Sequence, residues 1–185
     1  MSTAFYDREE LLMNHTDRSI LHLVMASVLA ALSCAATLVL TVPSPTGGYM
    51  NLGDTVVLLG AYLLGPWWGA AAGGIGSMLA DLMAGYALYA PATLLIKGTM
   101  AFLAALLYRV LGKKGMAVIL CGAVAEAIMV FGYWFYDGLL MGSLAGAAVG
   151  IPSNLMQAAF GLAASTALTL ALKKSAYVRE LFPNF

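Results

Sequence analysis

The sequence predicts an all-α polytopic membrane protein, with six transmembrane helices in a compact bundle and both termini in the cytoplasm. Three observations carry this. Of 185 residues, 62% are hydrophobic and only 10% are charged, against roughly 25% charged in an ordinary soluble domain. A water-soluble chain of this size could not cover so much apolar surface. Apolar runs recur along the chain, each near the ~20 residues that cross a bilayer. Finally, the basic residues fall on alternate connections, as the positive-inside rule requires of an even number of spans.

Residues 1–18 read as a cytoplasmic N-terminal segment, polar and holding Asp7, Glu9, Glu10 and Asp17. The first span runs from about Ser19 to Leu40. It lacks a small-x-small cleavage site and is read as a retained helix rather than a signal peptide. "TVPSPTGGYMN" follows, too rich in Pro and Gly for a helix interior. The second span, Gly53 to Leu64, is short. Gly65 and Pro66 break it and start a third, which ends near Ala84. One broken or re-entrant unit is the alternative, but the near-continuous apolar length favours two passes. The fourth span is about Tyr89 to Leu111. "GKKG" separates it from the fifth, about Met116 to Tyr136, and "DGLLMGSLAG" leads to the sixth, about Ala148 to Leu172. A six-helix membrane domain thus covers 19–173, and 174–185 form a cytoplasmic tail. Arg8 and Arg18 precede the first span, Arg109, Lys113 and Lys114 cluster where the fourth meets the fifth, and Lys173, Lys174 and Arg179 follow the sixth. The connections after spans one, three and five hold no Lys or Arg.

Nine basic and nine acidic residues leave a formal charge of zero, which argues against a nucleic-acid partner. Cys34 and Cys121 lie in apolar segments with no metal-site or disulfide spacing around them. His15 and His22 stand at or before the first span and read as interfacial rather than as metal ligands. There is no nucleophile elbow, no HExxH and no Walker glycine loop, so an intramembrane enzyme is a poorly supported alternative. A stand-alone small-solute transporter is another, without a ring-forming filter motif or an obvious inverted repeat. Six short spans without an ATPase motif read as the binding part of a larger machine.

Intramembrane polar residues demand partners, because an ionised side chain in hydrocarbon costs at least ~2.5 kcal/mol. Lys97 lies roughly 12 Å and Glu126 roughly 15 Å from the external ends of their spans, at 1.5 Å per residue, and the two could pair across the bundle. Asn154 and Gln157 are three apart and share one face of the sixth span. Asp54 starts the second span and Asp81 lies near the end of the third, with Tyr86 and Tyr89 close by. This outward bias fits either a structural ion pair with interfacial anchors and a cap at Asp54, or a site open to the outside. As a site it offers a cation, carboxylates, amides and aromatic rings, Tyr133 and Trp134 among them, suited to a small, polar, ring-bearing solute. Trp67 and Trp68 read as interfacial belt residues.

Small residues fill the spans: there are 20 glycines, densest in "GAAAGGIGSMLA". The first span sets Ala26 and Ala30, then Ala31 and Ala35, at four-residue spacing. Such stripes let helix backbones approach closely, either within the bundle or against a separate membrane subunit. Spacing alone leaves both open.

The stretch "GGYMNLGDTVVLLGAYLLGPWWGAAAGGIGSMLADLMAGY", Gly47 to Tyr86, with its continuation "YAPATLLIKG", resembles the substrate-binding S components of energy-coupling factor (ECF) vitamin transporters, and the likeness covers about Ser19 to Lys174. The resemblance implies a multi-pass protein of the bacterial cell membrane with no cofactor of its own. A vitamin is then the transported ligand, and a transmembrane coupling subunit and two cytoplasmic ATPase subunits are the partners. It implies that "TVPSPTGGYMN", with Tyr49 and Asn51, caps the ligand, and that Ala26 and Ala30, or Ala31 and Ala35 in a second register, meet the coupling subunit. A pyridoxine-like or hydroxymethylpyrimidine-like ligand is favoured, with pantothenate next if Lys97 meets a carboxylate.

Overall fold

The computed structural model describes residues 15–113, 115–182 and 185. Most of the expected N-terminal segment, including Arg8, lies outside them, as do Lys114 and the side chain of Arg18. Helix α1 (His15–Val39) leads to a small hairpin, β1 (Val42–Pro43) and β2 (Tyr49–Met50). Then come α2 (Gly53–Leu64), α3 (Pro66–Met83), α4 (Ala90–Val110), α5 (Gly115–Met141), the short α6 (Leu144–Ala147), α7 (Ile151–Leu172) and α8 (Ala176–Leu181). Stretches Ser19–Val39, Ala90–Val110, Gly115–Met141 and Leu144–Leu172 are long and apolar enough to cross a membrane. Their outer faces expose Leu, Val, Ile and Phe. The protein is an all-α polytopic membrane protein.

Helix α2 is the axis of the bundle. Apart from Asp54 and Thr55 in its first turn its sequence is apolar or small all round, so no other face of it needs water. Every one of its residues is buried, against α1, α3, α4 and α7. The turn into α3 depends on Gly65, whose φ of 83° with extended ψ is open to glycine and strained for other residues. Pro66 then occupies the first turn of α3, where its missing N–H is not needed.

The glycines of α3 serve packing inside the bundle. A Cβ on Gly69 would come 2.7 Å from Ala61 Cα of α2, one on Gly73 would meet Val57 of α2, and one on Gly74 would lie 2.9 Å from the Leu94 carbonyl of α4. Gly76 abuts the backbone of Ala30 in α1. This separates the two alanine registers of α1. Ala26 is buried and Ala30 is pressed against α3, so the face they share points inward, whereas Ala31 and Ala35 are exposed. The stripe reaches the interior because α1 must bring its backbone close to the glycine-rich face of α3.

Two expected connections also differ. Helix α5 continues past Tyr136 to Met141, so Asp137 belongs to it and not to a loop. The remaining link is filled by α6, capped by Ser143 accepting from the Gly146 N–H, and a 3-10 turn, Ala148–Gly150. Beyond α7 the tail folds back: Phe182 and Phe185 are buried in the bundle core. Lys173 donates to the Lys113 carbonyl and sits 5.0 Å over the Tyr108 ring.

Candidate functional site

The segment between α1 and α2 forms the roof of the site. Proline at 43 and 45 and glycine at 47 and 48 break the helix, and the chain reverses through Gly47, whose φ is 96°. Val42 pairs with Met50 and Pro43 with Tyr49. Side chains from three helices pin this hairpin. Tyr49 donates to Asp81 Oδ1 of α3 at 2.6 Å. Tyr89, at the start of α4, reaches the Thr46 carbonyl at 3.2 Å and Asp137 Oδ1 of α5 at 2.8 Å. Ser44 meets Ser153 of α7 at 3.1 Å. Burial, reinforced by the hydrogen bond to Asp81, raises the Tyr49 phenol well above its ordinary pKa. It therefore stays a donor over the physiological range.

Beneath the hairpin is a small, partly open cavity lined by Tyr49, Asn51, Asp81, Tyr89, Thr93, Tyr133, Asp137 and Asn154, together with Ser44, Thr46 and Gly48 of the hairpin itself. Tyr133 and Thr93 share a 3.0 Å hydrogen bond. Tyr86 joins from the side, its ring 4.5 Å from Tyr49 and 6.3 Å from Tyr89. The free space is only about 20 Å³, roughly one water molecule, so a ring-bearing ligand enters only if the lining moves.

Below the cavity lies a buried polar network. Lys97 of α4 pairs with Asp54 Oδ1 at the start of α2. Asp54 Oδ2 accepts from Gln157 Nε2 of α7 at 2.6 Å, and Gln157 Oε1 accepts from the Asn51 main-chain N–H at 2.8 Å. Asn51 Oδ1 in turn accepts from the Gly53 N–H at 2.8 Å. The hairpin, α2, α4 and α7 thus meet through four side chains. Lys97 also lies 5.4 Å from the Tyr133 ring centre.

The expected Lys97–Glu126 pair does not form. The physical reason is the central position of α2. Asp54 reads in sequence as an interfacial cap, yet it is 0% exposed because the whole helix is enclosed. Its first turn faces Lys97 directly. Glu126 lies close by on α5, packed against Gly161 of α7, where an added Cβ would come 2.8 Å from Asp54 Cβ. Both Glu126 carboxyl oxygens are buried without a hydrogen-bond partner.

Of the predicted site residues, Tyr49, Asn51, Asp81, Tyr89, Tyr133 and Asn154 line the cavity, Tyr86 flanks it, and Asp54, Lys97, Gln157 and Glu126 lie beneath. Trp134 is not brought in. Its indole donates to the Leu144 carbonyl at 3.0 Å, and it lines a separate apolar groove between α5 and α7 with Phe131 and Leu155. Sequence reading missed Asp137, Thr93, Ser44, Thr46 and Ser153. Asp137 was legible: it stands four residues after Tyr133, on the same helix face, but the "YDG" around it resembles a turn.

Comparison with known proteins places this arrangement. A curated relative from Pyrococcus woesei, "Uncharacterized protein in gap 3'region", is 37% identical over 140 residues, covering 75% of this chain and 92% of the relative. The family model described as "ECF-type riboflavin transporter, S component" matches residues 17–174, which takes in every helix that builds the hairpin site and its floor. The chain belongs to the ECF-type riboflavin transporter S component family, whose members are substrate-binding subunits of membrane transporters and not enzymes.

Proposed function

We propose that this chain is the high-affinity membrane subunit that captures a small, ring-bearing, water-soluble vitamin or precursor from outside the cell. On this reading it works with a transmembrane coupling subunit and two cytoplasmic ATPases. The observation that carries the reading is the cavity under the hairpin. Its lining combines phenol rings, amides and carboxylates, the mixture that orients a polar heteroaromatic ring. Its free space is too small for such a ring, so the lining must move to admit ligand, and the hairpin that roofs it is the element we propose to lift.

Riboflavin is the first candidate, from the family description. Pyridoxine-like and hydroxymethylpyrimidine-like ligands share the ring and its polar edge. Pantothenate ranks last, because Lys97, the cation meant for its carboxylate, is held by Asp54. Tyr49, Asn51, Tyr86, Tyr89, Tyr133 and Asn154 are the proposed contacts, with Lys97, Asp54 and Gln157 as the floor. The six-span membrane domain over 19–173, with both termini cytoplasmic, puts the hairpin outside the cell membrane. Vitamins titrated onto right-side-out vesicles carrying the protein test this. One ring vitamin should bind saturably with Kd below about 1 µM, some −8.2 kcal/mol. Saturable binding of pantothenate alone would reject the ligand class, and binding confined to inside-out vesicles would reject the orientation.

The coupling subunit is proposed to meet the outward stripe of α1, Ser27, Ala31 and Ala35, since these small residues are exposed. Changing Ala31 and Ala35 together to Leu should abolish co-purification with the coupling subunit while ligand affinity stays within about twofold. Intact complexes from that double variant would rule the stripe out.

A further inference from the structure

The cavity lining holds two carboxylates, and no residue lining it among those described is basic. Asp81 and Asp137 are 4% and 3% exposed. Each receives a tyrosine hydroxyl, Asp81 from Tyr49 at 2.6 Å and Asp137 from Tyr89 at 2.8 Å. Asp81 keeps a second oxygen, Oδ2, buried without a hydrogen-bond partner. The Thr93 hydroxyl also interacts with the Asp81 carboxyl and shares a hydrogen bond with Tyr133 in which either oxygen can be the donor. The cation beneath, Lys97, is committed to Asp54.

A buried acceptor without a donor is costly, and a ligand that supplies an O–H or N–H removes that cost. A ligand that brings negative charge does the reverse. A phosphate monoester carries about −1.5 to −2 charge at pH 7. Sites that accept one present Arg, Lys or converging backbone N–H groups. Here the group would meet carboxylates in a tight space, and like charges brought together across an interface select against the wrong partner.

Resting on the proposed vitamin-binding reading, we infer that Asp81 and Asp137 are specificity-determining residues. They select ligands that donate hydrogen bonds and are uncharged or cationic, and they exclude phosphate monoesters. The chain therefore captures the free vitamin and leaves its phosphorylated form outside. Asp81 Oδ2 takes a ligand hydroxyl or amino hydrogen. The Tyr49 and Tyr89 hydroxyls hold the two carboxylates in place for that choice.

The test compares parent and ester in matched pairs by calorimetry on the purified protein: riboflavin with riboflavin 5′-phosphate, pyridoxine with pyridoxine 5′-phosphate, and hydroxymethylpyrimidine with its phosphate. In the pair whose parent binds, the ester should bind at least about tenfold more weakly, or about 1.4 kcal/mol. Asp81→Asn and Asp137→Asn, checked for an unchanged elution profile, should each narrow that ratio, and Asp81→Asn should also weaken the parent. An ester bound within about threefold of its parent by the wild-type protein overturns the inference while leaving the vitamin reading intact. So does a ratio unchanged in both folded variants. Binding of no parent and no ester overturns both together. Should either variant fail to fold, the wild-type ratio decides alone.

Discussion

Lys97→Met should destabilise the bundle by about 3–5 kcal/mol, the usual cost of removing one partner from a buried ion pair. Methionine keeps much of the length of the lysine side chain, so the loss is of charge and donors rather than of volume. Asp54 would then remain enclosed in α2 with Gln157 as its remaining hydrogen-bond donor, beside a Glu126 that already lacks partners. The informative variant is the double one. Asp54→Asn with Lys97→Met removes both charges and still offers Gln157 an amide oxygen, so it should regain most of the lost stability. Glu126→Gln with Lys97→Met should regain less, because Asp54 stays charged and uncompensated. Thermal unfolding of wild type, the three single variants and the two double variants in one detergent gives the coupling energies. Rescue by the Glu126 double and not by the Asp54 double would overturn the pairing.

Gly76→Leu should be as severe, about 3 kcal/mol or more, at the upper end of overpacking costs. A Cβ there would lie 2.9 Å from Ala30 Cα and 3.0 Å from its carbonyl carbon. These are backbone atoms of a helix and cannot turn aside as a side chain can. Helix α1 must then leave α3. Gly98→Ala is the control. Gly98 also sits within a helix, but the nearest atom to its added Cβ is the Ala70 carbonyl oxygen at 3.7 Å. That change should be neutral or stabilising by up to about 1 kcal/mol, through helix propensity. Equal melting temperatures for Gly76→Leu and wild type would refute the close α1–α3 contact.

The class of protein and the bounds of α2 were legible because they rest on composition and on Gly–Pro punctuation, both local. Most of the candidate site was legible for a related reason: a polar side chain in an apolar helix has few places to go. Lys97, Gln157 and Asn154 could be singled out without knowing their partners. Pairing was not legible, because depth along a helix says nothing about which neighbour its face meets. Lys97 and Glu126 match in depth, yet α4 turns its lysine toward α2. The choice between the two alanine registers was not legible for the same reason. Ala26 and Ala31 are alike in type and spacing, and only the phase of α1 against α3 separates the buried pair from the exposed one. Asp137 was hidden by its neighbours, since a tyrosine before it and a glycine after it mimic the end of a helix.

Helix α2 has a consequence for how the protein is made. Its 12 residues give about 18 Å of helix at 1.5 Å per residue, well short of the ~30 Å hydrocarbon core. Such a segment is a poor insertion signal on its own. It is retained because four other helices surround it, and one of them, α7, emerges from the ribosome nearly a hundred residues later. During synthesis α2 must therefore wait, held at first by its glycine turn to α3, until the last wall of its enclosure arrives. Its final position is a product of assembly, so substitutions in α7 should disturb the threading of a segment made long before them.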